Sequence, residues 1–269
     1  MSIATEVRYL DNPRNWITFD GKALKDFKVY CSGDKTFSAP QRNVDSITIP
    51  GRNGTLERDK GTFANITVEY SCWIPSNFRQ NIEGLRNYLL SKAGFKRLED
   101  TYDPDTYRLA SFHGPLDVLA YYKSSFGSFT LQFTARPERF LKSGETAISL
   151  PIGSTTVSNP TLFNSKPLIK LTEMTSLPFA VQVGDYKITV RDSLGDPIDD
   201  LYIDTENLNA YGHKTSDGSI VNCNDMITPT VKDKWFQIKP GSNTIEVSRN
   251  QLLPQVVNGL SIIPRWWIL

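Results

Sequence analysis

Between residues 65 and 74 every second side chain is apolar, Ile66, Val68, Tyr70, Cys72 and Ile74, interleaved with the polar Asn65, Thr67, Glu69 and Ser71. A period of two sends successive side chains to opposite faces of an extended chain, so this stretch predicts a strand with one face in a core. It also sets the class of the neighbours, because a strand leaves its backbone N–H and C=O groups to be paired by other strands. Residues 126–135 supply the same pattern, with Phe129, Leu131 and Phe133 opposed to Ser128, Thr130 and Gln132. Further strands are predicted at 96–102, 106–112 and 116–122. Aromatic residues make up 11% of the chain, which suits pleated, half-buried surfaces. The expectation is a mainly β protein.

One segment breaks this rule. Phe78, Ile82, Leu85 and Leu89 recur at helical spacing, which predicts a helix over 77–93. Pro75 stands before it, Ser76 or Asn77 is expected to cap its start through a side-chain oxygen, and Gly94 to close its end. Upstream, Val44 to Ile49 reads as a partner strand for 65–74. The interval carries Arg52-Asn53-Gly54 and Asp59-Lys60-Gly61, both turn-forming combinations, so 44–74 reads as a long hairpin or β-arm with a structured tip. The first 145 residues thus form a sheet or barrel with one packed helix.

The pattern weakens over 146–160, where Pro151, Gly153 and Ser154 to Thr156 read as a linker. From 161 to 269 come about eight short apolar runs separated by turn signals such as Gly184-Asp185, Gly195-Asp196-Pro197, Asp217-Gly218 and Pro240-Gly241. No helical period appears there, and a β-sandwich is expected.

Charge and chemistry exclude more than they suggest. Thirty basic and 29 acidic side chains leave a net charge of +1, so no overall electrostatic footprint points to nucleic acid, membrane or an acidic substrate. The first half is mildly basic and the second mildly acidic. Glu6 and Arg8 fall where a signal peptide needs apolar residues, and no run is long enough to span a membrane, so a soluble chain made in a cytoplasm is expected. Cys31, Cys72 and Cys223 lack metal-site spacing and are expected as buried thiols. His113 and His213 fall in different halves, which disfavours a histidine acid/base pair or a multi-histidine metal site. Asp199, Asp200, Asp204 and Glu206 are numerous enough for a glycosidase pair, although acidic residues beside turns ordinarily solvate a sheet edge. No glycine-rich phosphate cradle is present. The expectation is a protein that is not an enzyme and has no catalytic residue, metal or cofactor. Trp266 and Trp267 are adjacent in an extended run, so one should enter the core while the other meets a second surface.

Three segments together resemble the distal tail protein of siphophages, the long, non-contractile-tailed bacteriophages. The first is Arg8-Tyr9-Leu10 with Trp16-Ile17-Thr18-Phe19-Asp20-Gly21. The second is Ile49-Pro50-Gly51-Arg52-Asn53-Gly54-Thr55-Leu56, followed by the alternating strand and the helix. The third joins Leu201-Tyr202-Ile203-Asp204-Thr205-Glu206, Lys239-Pro240-Gly241-Ser242-Asn243-Thr244-Ile245 and Ile263-Pro264-Arg265-Trp266-Trp267. The resemblance implies an N-terminal β-barrel-like belt domain (1–145) and a C-terminal galectin-like β-sandwich (161–269). It implies a homohexameric ring at the distal end of the virion tail, non-catalytic, with DNA in transit through a central channel. On one side the ring would meet the tail tube and tape-measure proteins, and on the other the tail-associated fibre or lysin and the receptor-binding or other baseplate proteins. Ile49, Pro50, Gly51, Arg52, Asn53 and Gly54 are then candidate assembly-interface residues, and Pro264, Arg265, Trp266 and Trp267 a structural motif. The alternative reading is a glycan-binding module that recognises host cell-wall polysaccharide through the sandwich.

Overall fold

The computed structural model describes residues 15–120, 126–192, 197–231, 235–249 and 257–269. Arg8-Tyr9-Leu10, Gly195-Asp196 and the last two positions of the strand expected at 116–122 lie outside the described residues. The chain divides into two compact units, residues 1–139 with Leu269, and residues 140–268. Among the described residues it is mainly β, with several antiparallel sheets and one α-helix.

The first unit is built on a sheet in the order Lys22–Ala23, Ile17–Phe19, Lys96–Asp100, Thr106–Ser111, Gly127–Leu141, Ile66–Ile74 and Tyr30–Cys31. Asn15 and Cys31 form an antiparallel bridge, with the Cys31 N–H donating to the Asn15 carbonyl at 2.9 Å. The bridge returns the last strand of the path to the residues just before Ile17, giving the sheet a barrel-like closure. Ile66–Ile74 pairs with Gly127–Leu141 from Ile74 opposite Gly127 to Ile66 opposite Ala135. Both alternating strands therefore turn their apolar sides to one core. Phe133 is fully buried at its centre, its ring 5.2 Å from Phe19, 5.6 Å from Phe112 and 6.2 Å from Tyr70.

The helix occupies Phe78–Leu90 and buries Phe78, Ile82, Leu85 and Leu89. Its ends differ from the expected caps. Asn77 is left-handed and makes no side-chain cap bond; instead Asn81 Nδ2 donates to the Ser76 carbonyl at 2.9 Å, tying the first turn back to the entering chain. At the other end Ser91 is the cap, and Gly94 adopts its positive φ three residues later. Tyr88 Oη donates to the Phe19 carbonyl at 2.6 Å, so the helix is pinned to the sheet by a hydrogen bond as well as by packing.

Two expected partnerships are corrected. Arg42–Thr48 does not pair with Ile66–Ile74 but with Thr55–Phe63, as a separate two-stranded sheet. Asp59-Lys60-Gly61, read as a turn, is instead an irregularity inside that second strand. The register slips between Arg42 opposite Phe63 and Val44 opposite Asp59, the Gly61 N–H donates to Asp59 Oδ1 at 2.8 Å, and Gly61 has a φ of +69°. The turn chemistry is real, but it produces a bulge. The arm thus spans 42–63. Likewise the stretch 146–160, expected as a linker, contains two paired strands of the second unit, Ile148–Ser149 and Gly153–Asn159. The Gly, Ser and Thr of Gly153–Asn159 lie on a sheet margin, while Leu150, Val157 and Asn159 are buried.

The second unit has one sheet in the order Ile148–Ser149, Leu260–Ile263, Leu168–Leu171, Ile198–Asp204, Asn209–Lys214 and Ile220–Asn222. The other runs Gly153–Asn159, Gly241–Ser248, Phe179–Val183, Tyr186–Val190 and Ile227–Pro229. Ile169, Leu201, Ile203 and Ile262 from the first sheet share a core with Val181, Ile188, Ile245 and Val247 from the second.

Gly127 lies close against the helix, since a Cβ there would lie 2.1 Å from the Phe78 ring. Gly127→Ala should displace that buried anchor and destabilise the first unit by about 1–3 kcal/mol, the usual range for overpacking. Urea unfolding of the variant beside wild type checks this, and an unchanged midpoint would contradict it.

Candidate assembly surface

Each arm strand is exposed almost throughout. At the tip the Arg52 N–H donates to the Ile49 carbonyl at 3.2 Å, closing a turn with Pro50 and Gly51 in the middle. Proline fixes its own φ near −65°, and Gly51 takes a φ of +79°, the combination of a type II turn. Gly54 is at +82°, and a Cβ at either glycine would meet open space. Their requirement is therefore backbone conformation, with no close neighbour in the chain itself. Ile47 stands opposite Leu56, each 49% exposed, while Val44 lies on the other face. Arg42 pairs with Asp59 at 2.6 Å and Lys60 with Asp45 at 2.6 Å, both exposed, which adds little stability but fixes the charge pattern. Long, unpaired, partly apolar sheet margins of this kind are what proteins ordinarily cover.

The root of the arm is held more firmly. Lys35, in the segment between Tyr30–Cys31 and the arm, forms a salt bridge with Asp100 in which both side chains are only 10% exposed. Tyr70 Oη donates to the same carboxylate at 2.6 Å, and the ammonium lies 4.8–5.3 Å from the ring centres of Tyr70, Tyr102 and Phe37. Burial, and then the Asp100 charge, push the Tyr70 hydroxyl well above its ordinary range, which keeps it a donor. Spacing in sequence gives no sign of this cluster, in which Lys35 and Asp100 alone lie 65 residues apart.

In the second unit Pro264 follows the strand Leu260–Ile263, and Arg265 takes a φ of +57°. Arg265 grips Asp204 with two hydrogen bonds, 2.8 Å to Oδ1 and 3.2 Å to Oδ2. Burial by itself raises the Asp204 pKa, but Arg265, the Glu206 N–H and the Asn207 amide outweigh it and hold the carboxyl below its usual value. Trp266 is buried in the sandwich core. Trp267 is partly exposed, stacks on Phe163 at 4.3 Å and donates from Nε1 to the Asn164 carbonyl at 2.9 Å.

The other candidates for chemistry are engaged elsewhere. His213 Nδ1 meets Asp200 at 2.7 Å and Asp199 accepts from Thr215. His113 contacts Ser111 at 2.9 Å, but that serine is 97% buried, so this is no accessible nucleophile. His213 sits on Asp200, Arg265 on Asp204 and Trp266 in the core, so these three side chains are committed to separate contacts. Among the described residues no group of three His, Cys, Asp or Glu side chains is arranged to hold a metal ion, and no helix is long and apolar enough to cross a membrane. Cys31, Cys72 and Cys223 are buried and free, and burial pushes the Cys72 and Cys223 thiols up, away from reactivity.

Taken with the arm, these two units define a fold shared with tail hub and baseplate proteins of bacteriophages. The Dit protein (gp 19.1) of phage SPP1, described as a paradigm of the hub adsorption apparatus in phages infecting Gram-positive bacteria, superposes with a TM-score of 0.65 and 15% identity, covering 95% of this chain and 99% of that one. A chain of the phage P2 baseplate in its activated, calcium-containing conformation gives a TM-score of 0.53 at 11% identity over 92% and 96% of the two chains. No protein-family model and no curated protein matches the sequence.

Two outcomes follow from the C-terminal motif. Trp266→Ala should cost about 3–5 kcal/mol as a large-to-small core change, whereas Trp267→Ala, which loses one ring stack and one hydrogen bond, should cost about 1–2 kcal/mol. Equal and small shifts in denaturant midpoint would show that neither ring anchors the unit. The lowered pKa of Asp204 adds stability at pH values above the unfolded carboxylate pKa, and that stability is lost as pH falls through the folded pKa. Asp204→Asn should therefore cost about 2–4 kcal/mol at pH 7 by stranding Arg265, with the gap to wild type narrowing below about pH 4. Thermal melts at pH 7 and pH 3 measure both values.

Proposed function

We propose that this chain is a structural distal tail protein of the siphophage type, without catalytic activity. Six copies close into a ring at the distal end of the virion tail. The ring joins the tail tube and tape-measure proteins to the tail-associated fibre or lysin and the receptor-binding components of the baseplate, and DNA passes through its central channel. Synthesis in the host cytoplasm precedes assembly. The observation that carries this reading is the extent of the likeness: both units and nearly the full length superpose on a protein described as an adsorption hub. A shared β-sandwich alone would say little, because fold is a scaffold on which many functions are built. An exposed arm adds a physical reason for assembly, since repetition of one arm-to-body contact by a constant rotation of about 60° closes a six-membered ring and covers every arm.

In this reading Ile49, Pro50, Gly51, Arg52, Asn53 and Gly54 form the interface element, and Pro264 to Trp267 maintain the sandwich that projects from the ring. Gly51→Val combined with Arg52→Ala strains the tip turn without touching either core. It should leave the circular dichroism spectrum and cooperative melting unchanged, while moving the assembled species from six times the 30.3 kDa chain mass toward a single chain. Light scattering of variant and wild type, alone and mixed with tail tube and fibre proteins, makes the measurement. Normal six-fold rings from the variant would remove the arm from the interface.

A further inference from the structure

Cys31 and Cys72 are direct partners across the antiparallel strands Tyr30–Cys31 and Ile66–Ile74. Their neighbours Ser32 and Ser71 form a hydrogen-bonded pair, the Ser32 N–H donating to the Ser71 carbonyl at 2.9 Å, while the Cys31 N–H turns away to Asn15. Cys31 and Cys72 therefore occupy a non-hydrogen-bonded position, where opposed Cα atoms stand about 4.5 Å apart and side chains are closest. That spacing lies within the roughly 4.4–6.8 Å that a disulfide spans. Both side chains are buried as free thiols, and their sulfurs are 3.5 Å apart.

The two cysteines bracket the arm. Between them run the segment that carries Lys35, the strands Arg42–Thr48 and Thr55–Phe63, and the return to Ile66. A bond from Cys31 to Cys72 would join the strand that feeds the arm to the strand that leaves it. The feeding strand is the weaker of the two, because Tyr30–Cys31 is two residues long and ends the strand path, with a bridge to Asn15 on its other side. Cys223 belongs to the core of the second unit, where its Sγ donates to the Val221 carbonyl at 3.6 Å.

We infer that Cys31 and Cys72 are a redox pair that closes to a disulfide when the chain meets a small-molecule disulfide oxidant, clamping both roots of the arm. With oxidised glutathione, the Cys31 thiolate attacks one sulfur, forming a mixed disulfide and releasing one glutathione. The Cys72 thiolate then attacks Cys31 Sγ and expels the second. The two protein thiols lose two electrons and two protons, and the oxidant takes up both to become two thiols. Burial holds back the first attack until the short Tyr30–Cys31 strand opens, and register then delivers Cys72 to the mixed disulfide. A reducing cytoplasm keeps both thiols, whereas an extracellular medium supplies the oxidant. This chemistry needs only the folded first unit and stands apart from the ring reading.

The test exposes the full chain to oxidised glutathione in two samples, one native and one refolded from denaturant, and then counts thiols by alkylation after unfolding. The count should fall from three to one in the refolded sample at least, with Cys223 the survivor, a linked Cys31–Cys72 peptide in the mass spectrum, and three thiols again after dithiothreitol. Closure should raise the melting midpoint of the first unit by at least about 4 °C. It should also slow amide exchange over residues 30–35 at least about tenfold. C31A and C72A should show neither change under the same oxidant, and a shift in them would assign the effect to the oxidant and remove the clamp. Should either variant fail to fold, wild type with and without dithiothreitol supplies the same comparison. Three thiols left in both samples, or a disulfide that uses Cys223, would overturn the pairing. A Cys31–Cys72 bond that leaves exchange at 30–35 unchanged, or lowers the melting midpoint, would overturn the clamp.

Discussion

A β-sheet must dispose of its margins, because an edge strand carries a row of backbone donors and acceptors that water or another chain will satisfy. Much of this structure follows from how that requirement is met. The first unit bends its strand path until Asn15 bridges Cys31, so the sheet nearly closes. The second unit stacks two sheets over one core and ends the first of them in strands only two and three residues long, Ile148–Ser149 and Ile220–Asn222. In the arm both strands, Arg42–Thr48 and Thr55–Phe63, keep an outer margin that pairs with no further described strand. A hairpin alone is marginal in water, so a two-stranded element of this length gains most when another surface lies against it.

In the ring proposed above, assembly and folding draw on separate residues. Phe133, Leu131 and the helix face Phe78, Ile82, Leu85 and Leu89 are buried within the first unit, and Trp266 within the second, so their contributions are complete before any partner arrives. Ile47, Leu56 and the tip glycines contribute almost nothing to either core. In the proposed ring, each unit completes its own core while the arm keeps its apolar side chains for a neighbour.

Backbone periodicity was legible in the sequence, whereas the local cap and turn chemistry of Asn77, Gly94 and Asp59-Lys60-Gly61 took other forms. The alternation at 65–74, the helical spacing of Phe78 to Leu89 and the opposed directions of Trp266 and Trp267 each follow from backbone periodicity, and each reappears in the burial of those side chains. The tip turn closes at Pro50-Gly51, just before the Arg52-Asn53-Gly54 combination that marked a turn in the sequence. The strand Thr55–Phe63 was hidden because Asp59-Lys60-Gly61 has the composition of a turn, and whether such a triplet reverses the chain or bulges it depends on what pairs across from it. Partners distant in sequence left no local mark. Arg265 and Asp204 are 61 residues apart, Lys35 and Asp100 are 65 apart, and only the fold brings them together.

The buried Lys35 also has a bearing on kinetics. An arm joined to its body by a loose strap would sweep many orientations, and each encounter would have to arrest that motion. Here the strap is fastened by an ammonium enclosed between a carboxylate and three aromatic rings, so the freedom of the strap is surrendered when the unit folds. In the proposed ring, the freedom given up at Lys35 during folding is ordering entropy that the association step no longer has to supply.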